Sequence, residues 1–175
     1  ILAGLAPLVL VPLAPGQSAR CDGLLAHTPT WADVEWLQSI TRLPVLLKGI
    51  LHPDDARLAQ QLGVAALVVS NHGGRTLDTV PATATVRPRS AQAVPGMPLL
   101  VDGGIRRGTD VLKAMALGAS AVLVGRPYIY GLANAGAMGV AHVLRLLRDE
   151  LEIAMALTGC AQLRDIPPGL VEMRT

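Results

Sequence analysis

The sequence predicts an α/β fold in which short parallel strands alternate with helices. Four apolar runs of five or six residues are too short for helices and lack polar alternation, which is typical of strands buried on both faces. Helical patterns separate these runs, and this alternation indicates βα units and a parallel sheet. The predicted strands cover 43–48, 65–70, 98–102 and 121–125, with a weaker fifth candidate at 8–11.

The predicted helices have recognisable ends. Thr30 is a residue type that caps helices, Pro53 suits a first helical position, and Gly63 suits the end of that helix. Asp54 and Asp55 favour the positive end of the same helix dipole. The predicted helices cover 31–40, 53–63, 86–94 (a weaker pattern), 109–117 and, after Pro127, two segments that reach about 159 with a break near 134–139.

The number of strands bears on which α/β fold this is. Segments 62–69 and 117–124 repeat one pattern of helix end, glycine turn and apolar strand. With four or five strands, the chain would supply about half of a (β/α)₈ barrel, which typically needs about 250 residues. A doubly wound sheet is the alternative.

The composition excludes several classes of protein. Apolar residues make up 51% of the chain, charged residues 16%, and the net charge is +2. A wholly disordered chain is excluded, and we expect no nucleic-acid partner.

Cys21 and Cys160 are too far apart in sequence for a metal motif or disulfide framework, so we expect free thiols and a cytoplasmic location. The apolar opening, 1–14, is too short for a membrane span and lacks a basic leader, so we expect residue 1 to lie within a longer protein.

Charged and glycine-rich residues follow each predicted strand. In βα folds, functional groups collect at the carboxyl ends of the strands. We therefore expect a lysine, a histidine and several arginines to surround one pocket. These strand-end segments are 48–49, 70–75, 102–108 and 125–127.

The last two segments have the properties of a phosphate site. Gly103 and Gly104 allow close backbone approach, and Arg106 and Arg126 supply positive charge. The helix predicted after Thr109 offers free N–H groups to an anion. The alternative is that these glycines only shape turns and the arginines are solvated.

The first two segments suggest proton transfer and carboxylate binding. His72 is a candidate base, and Arg75 can bind a carboxylate through two parallel hydrogen bonds. Lys48 would place a fixed positive charge beside a group that gains electrons. The alternatives are a structural His72 and a Lys48 that simply reaches solvent.

Four long motifs resemble a known family. LLKGIL at 46–51, VSNHGGRTLD at 69–78, VDGGIRRGTDVLKAMALGA at 101–119 and VGRPYIYGLA at 124–133 resemble the FMN-dependent α-hydroxy acid oxidases and dehydrogenases. This group includes glycolate oxidase, lactate oxidase and L-lactate dehydrogenase. The resemblance implies the C-terminal half of a (β/α)₈ TIM barrel that binds FMN. It further implies that 31–175 is the C-terminal part of the dehydrogenase domain and that 1–30 is a degenerate or truncated remnant of the preceding barrel segment.

The resemblance also implies individual roles. His72 matches the catalytic base, Arg75 the arginine that holds the substrate carboxylate, and Arg20 a second substrate arginine. Lys48 matches the lysine beside flavin N1 and O2, and Ser70 matches another flavin contact. The matches to the flavin ribityl and phosphate site are Asp102, Gly103, Gly104, Arg106, Gly125 and Arg126.

Two positions depart from the family pattern. Val11 stands where a flavin-contacting threonine belongs, and Leu13 where an aspartate orients the histidine. Loss of such an aspartate can cost orders of magnitude in rate, and the family's first half is absent. The leading hypothesis is therefore FMN-dependent oxidation of a small 2-hydroxy acid to the 2-oxo acid by a fragment whose own activity is in doubt.

Two rival hypotheses remain. One is a non-catalytic half-barrel that binds FMN or another phosphate-bearing ligand, or that assembles with a partner half. Open sheet edges favour such association, and a homo-oligomer is one form of it. The other is a different FMN barrel, related to isopentenyl diphosphate isomerase or IMP dehydrogenase, which the His72–Arg75 run disfavours.

Overall fold

The computed structural model describes residues 15–16 and 28–172. Its sheet has four parallel strands in the order of the chain: β1 (Leu46–Lys48), β2 (Ala66–Val69), β3 (Leu99–Asp102) and β4 (Ala121–Leu123). The helices are α1 (Trp31–Ile40), α2 (Pro53–Gln61), α3 (Thr83–Ala93), α4 (Gly108–Ala116) and α5 (Arg126–Leu157). The weaker strand candidate, 8–11, lies outside the described residues.

The chain divides into two units after Arg42, with α1 in the first and the sheet in the second. The predicted bounds of α1 are confirmed. The Asp33 carboxylate accepts hydrogen bonds from both the backbone N–H and the hydroxyl of Thr30, at 2.6 and 2.7 Å. These two hydrogen bonds between Thr30 and Asp33 stabilise the start of the helix, as a capping interaction does.

Strand burial depends on position in the sheet. Every residue of β2 is buried, as the unbroken apolar run predicts. The expectation of burial on both faces is wrong for β1 and β4: the Leu46 side chain is 43% exposed, and Ala121 is also exposed. Among the described residues, each of these two strands pairs on one side only, so it lacks the cover of a second neighbour.

The helices after β1 agree with the sequence in order, and α3 differs most in where it begins. α3 begins at Thr83, three residues earlier than predicted, where the buried Thr83 hydroxyl donates to the carbonyl oxygen of Asp102 at 2.8 Å. The break predicted near 134–139 is confirmed, because Ala135 and Gly136 have non-helical dihedral angles within α5.

A cluster of buried residues packs between α4 and α5. Leu112 and Ala116 of α4 pack with Ala154 of α5, Cys160 and Ile166. Cys160 is a buried free thiol, as predicted, whereas Cys21 lies outside the described residues. None of the helices within 28–172 combines the length and apolar character needed to span a membrane.

Candidate functional site

Three polar side chains meet where β1, β2 and β3 end. The Nζ atom of Lys48 lies 2.7 Å from Oδ2 of Asp102 and donates to Oγ of Ser70 at 3.0 Å. The Ser70 hydroxyl in turn donates to Oδ2 of Asp102 at 2.5 Å. These residues are 22 and 32 positions apart in the chain. The parallel register brings them together, because equivalent ends of the three strands lie side by side.

The environment of Asp102 favours its charged form. Its partial burial raises the pKa of the carboxyl, but hydrogen bonds from Lys48 and Ser70, the Lys48 charge and the backbone N–H of Gly103 together outweigh burial. The pKa of Asp102 is therefore below its ordinary value. Asp102 remains an anion at neutral pH, and it holds Lys48 in place as a cation.

Removal of the Asp102 charge should lower the free energy of unfolding at neutral pH and make that free energy less dependent on pH in the acidic range. A carboxyl with a lowered pKa stabilises the fold above its unfolded pKa, about 3.9, and this contribution is lost as the pH falls through the folded value. Lys48 is 42% exposed, so we expect Asp102→Asn to cost about 1 kcal/mol at pH 7. The difference should shrink below pH 4, as measured by urea unfolding at pH 7 and pH 3.

The matched control is Asp78→Asn. Asp78 is exposed and forms no ion pair with residues 28–172. Its substitution should leave the free energy of unfolding nearly unchanged at both pH values. An Asp102→Asn deficit that stays constant between pH 7 and pH 3 would contradict the assignment of a charged Asp102 partner to Lys48.

The segment after β2 is a tight turn in an unusual backbone conformation. His72, Gly73 and Gly74 all have positive φ, at 54°, 69° and 71°. Residues that carry a side chain, such as His72, rarely adopt a positive φ, and backbone strain of this kind is concentrated at functional sites. The backbone N–H of His72 donates to Oγ of Ser70 at 3.0 Å, and that of Gly73 donates to Oδ1 of Asn71 at 3.0 Å. The first of these bonds connects the turn to Ser70, which contacts both Lys48 and Asp102, and the second lies within the turn.

Two cavities open at this edge of the sheet. The first, here the Lys48 cavity, has a volume of about 430 Å³, and its lining includes Lys48, Ser70, Asn71 and His72. Its walls combine a fixed cation, a hydroxyl and an exposed imidazole. This cavity can accept an electron-rich or anionic group next to a proton acceptor.

The second cavity, here the Arg126 cavity, has a volume of about 380 Å³ and is lined by Arg126 together with Gly73, Gly103 and Gly104. Asn71 lines both cavities. The Arg126 guanidinium also donates to the Gly73 carbonyl at 3.4 Å. A Cβ on Gly104 would meet nothing within 4 Å, so the glycine backbone there is open to a ligand.

The structure brings together only some of the predicted site residues. Arg75, Arg106 and Gly125 are exposed, and neither cavity includes them in its lining. The backbone N–H of Arg106 donates a hydrogen bond to Oδ2 of Asp110 at 3.0 Å. Arg20 lies outside the described residues. The expectation of one shared pocket is therefore replaced by two cavities that meet at Asn71, and the roles of the individual residues stay predictions.

Sequence reasoning missed Asn71 and Thr83. Asn71 holds the turn of positive-φ residues through its side-chain oxygen, which is a common role of asparagine before a turn. Thr83 fixes the end of β3. An asparagine two residues before a pair of glycines is a local signal for such a turn and could have identified Asn71. The Thr83 contact depends on packing that no local pattern encodes. Within 28–172, no cluster of His, Cys, Asp and Glu has the arrangement of a metal site.

Comparison with known proteins places this geometry in context. A family model described as FMN-dependent dehydrogenase matches residues 11–173. An L-lactate oxidase of Alicycliphilus denitrificans is 55% identical over 87% of this chain and 42% of its own length. A 2-hydroxyacid oxidase of Dictyostelium discoideum is 56% identical over 94% of this chain and 42% of its own.

A solved structure supports the same relationship. The crystal structure of mandelate oxidase with (S)-2-phenylpropionate matches with a TM-score of 0.78 and 50% identity, over 80% of this chain and 42% of that one. The alternating strands and helices match part of a TIM barrel, which confirms the predicted fold class over the doubly wound alternative. The chain spans less than half the length of these relatives.

Proposed function

The chain belongs to the FMN-dependent dehydrogenase family, and from this membership we propose that it forms the carboxyl-terminal half of a flavoprotein that oxidises a small 2-hydroxy acid to the 2-oxo acid. The observation that carries the proposal is the bonded group of Lys48, Ser70 and Asp102 beside His72 at the strand ends. The relatives named for lactate and 2-hydroxy acids support this substrate class.

The residues at the two cavities fit FMN chemically. Arg126 and the open backbone at Gly104 suit a phosphate, which needs positive charge and close approach. Lys48 suits the pyrimidine end of an isoalloxazine ring, where negative charge develops on reduction. Because Asp102 and Ser70 hold Lys48 from the protein side, its ammonium group is oriented before any ligand arrives.

The proposed reaction removes two electrons and two protons from the 2-hydroxy acid. His72 takes one proton from the substrate, and Arg75 holds the carboxylate through its guanidinium. Lys48 offsets the negative charge that builds up near it. FMN, when bound, would supply the acceptor for the two electrons and for the second proton. In this proposal Arg126 holds the phosphate from the cavity lining, Arg106 and Gly125 approach it from outside that lining, and Arg20 is a second carboxylate contact.

A direct test adds FMN and then an L-2-hydroxy acid to the chain without oxygen. The proposal predicts FMN binding followed by loss of the flavin's visible absorbance as it is reduced. Binding without bleaching would reject catalysis by this chain and support the non-catalytic half-barrel, a rival favoured by the 42% coverage of its relatives. Failure to bind FMN would reject the proposed function and would leave a half-barrel that binds another phosphate-bearing ligand or assembles with a partner half.

Substitution of Arg126 should weaken FMN binding. We expect Arg126→Leu to raise the dissociation constant about 10- to 100-fold, because a hydrogen bond to a charged group contributes about 1.5–3 kcal/mol. Fluorescence titration of FMN measures this change. The control is Arg145→Leu: Arg145 is on the same helix and pairs with Asp149, so FMN affinity should stay at the wild-type value. Equal affinities for the wild type and Arg126→Leu would remove Arg126 from the phosphate site.

Three finer properties belong to the same proposal. We propose that lactate is one substrate, that the chain associates through its open sheet edges, and that it resides in the cytoplasm. The exposed β1 and β4 support association, and the free Cys160 thiol supports a reducing compartment. Oxygen uptake with lactate would distinguish an oxidase from a lactate dehydrogenase that uses another acceptor.

A further inference from the structure

The Arg126 cavity extends beyond the strand ends into a cleft between α3 and α4. Ala84 and Arg87 of α3 line one side of it. Lys113 and Ala114 of α4, together with Leu117 directly after that helix, line the other. Arg87 is three positions after Ala84, and Leu117 is four positions after Lys113 and three after Ala114, so the residues of each group share one face. The cleft therefore has two helical walls, and it reaches residues that the FMN proposal does not use.

Arg87 is the most unusual side chain in this cleft. Its Nε atom is buried and has no hydrogen-bond partner among the described residues. Its guanidinium lies against the backbone of Gly118, where a Cβ would approach Nη2 to 2.6 Å. Burial lowers the pKa of Arg87. An unpaired buried donor is costly, so the contacts within residues 28–172 do not account for the position of this side chain.

The charges around the cleft favour an anion. Arg87, Lys113 and Arg126 line it, and none of them pairs with a carboxylate of residues 28–172. Asp110 is the one acidic residue of the lining. Its Oδ2 atom already accepts two backbone N–H groups from 106–107, each at 3.0 Å. The local charge is therefore positive, with the acidic group occupied.

The rest of the lining is mostly apolar. It includes Ala82, Val101, Ile105 and Leu117. A volume of about 380 Å³ is at the small end of ligand pockets, which combine apolar walls with a few polar groups. Inorganic phosphate would leave these apolar walls unfilled. A compact apolar body that carries one anionic group matches both features.

We propose that the cleft between α3 and α4 binds a small organic carboxylate with an apolar body, and that Arg87 is its anchoring residue. The carboxylate pairs with the guanidinium of Arg87 and is attracted by Lys113, while the apolar body lies against Leu117 and its neighbours. Arg75 does not line this cavity, and the site shares Arg126 and the adjacent glycines with the proposed phosphate position.

The test uses benzoate as the probe and isothermal titration calorimetry on the 175-residue chain. We expect one benzoate site whose affinity falls at least tenfold in Arg87→Leu. The matched control, Arg89→Leu, removes an exposed arginine from the same helix and should bind benzoate as the wild type does. Arg75→Leu removes the proposed hydroxy acid contact and tests whether benzoate instead occupies the hydroxy acid position. Benzamide, which has the same ring and no charge, should bind at least tenfold more weakly than benzoate.

A stability measurement separates a binding role from a structural one. Arg87→Leu removes a buried unpaired Nε, so its unfolding midpoint in urea should equal or exceed that of the wild type. A lower midpoint would indicate a structural role and contradict the proposal. In the wild type, the Arg87 Nε–H resonance should shift as benzoate saturates the site, and this measurement needs no variant.

Three results would overturn the proposal: no benzoate binding, unchanged affinity in Arg87→Leu, or an Arg87 resonance that does not move. Loss of binding in Arg75→Leu alone would place benzoate at the hydroxy acid position and would also overturn it. FMN binding and flavin bleaching test the proposed function independently. Either proposal can therefore fail while the other stands.

Discussion

Replacement of His72 by Asn is expected to slow anaerobic flavin reduction by an L-2-hydroxy acid about 10²- to 10⁴-fold, the usual contribution of a positioned general base. The measurement is a single-turnover reaction of the FMN-loaded chain. His72 lines the Lys48 cavity and is exposed there, so its imidazole is accessible to a substrate. Asparagine has no group that can take up a proton at neutral pH.

Asparagine is the appropriate replacement because of the backbone. The φ of His72 is 54°, and asparagine is one of the few residues enriched in this conformation. The hydrogen bond from its backbone N–H to Ser70 does not depend on the imidazole. The free energy of unfolding should therefore stay within about 0.5 kcal/mol of the wild-type value, so that a lost rate cannot be attributed to unfolding.

The control for this experiment is His142→Asn. His142 is exposed on α5 and lines neither cavity, and its loss should leave the reduction rate unchanged. A His72→Asn chain that reduces flavin at the wild-type rate would exclude His72 as the base. In that case the proton acceptor would have to be sought among other groups of the Lys48 cavity.

Replacement of Gly108 by Val is expected to destabilise the fold by about 3 kcal/mol, as for overpacking of a close contact. Gly108 begins α4 and is buried against α5. A Cβ there would overlap the backbone nitrogen of Leu151 and approach the carbonyl carbon of Glu150 to 2.5 Å. The backbone N–H of Gly108 also donates to Oε2 of Glu150 at 2.8 Å. The two helices would have to separate, and this bond would be lost.

Urea unfolding measures the effect, with Gly125→Ala as the control. Gly125 has a negative φ, and a Cβ there would meet nothing within 4 Å. Its replacement should change the free energy of unfolding by less than about 0.5 kcal/mol. If Gly108→Val unfolds at the same urea concentration as the wild type, α4 and α5 do not pack as closely as described.

Much of the fold follows from local signals in the sequence. The apolar runs predict all four described strands in their order, and the start of α2 at Pro53 agrees with the preference of proline for a first helical position. The break within α5 is equally local, because Gly136 takes a positive φ that most residues avoid. Such features depend on a few neighbouring residues, so a pattern in the chain is enough to reveal them.

The candidate site is only partly predictable for the same reason. Its location at the strand ends follows from the βα pattern, which aligns the carboxyl ends of parallel strands. The resemblance to a family adds individual roles, and these stay predictions for this chain. The sequence could not show that Arg75 and Arg106 lie outside both cavities, because the direction of a long side chain depends on its surroundings.

By itself, the sequence determined which segments become strands and helices, and that charged and glycine-rich residues follow the carboxyl ends of parallel strands. The tertiary structure alone decided that Lys48 pairs with Asp102, that edge strands remain exposed, and that Arg87 is buried without a partner. The physical reason is the difference in the distance along the chain over which these interactions act. Backbone propensity and apolar periodicity act over a few residues, whereas ion pairs, burial and cavities depend on distant segments that meet only when the chain packs.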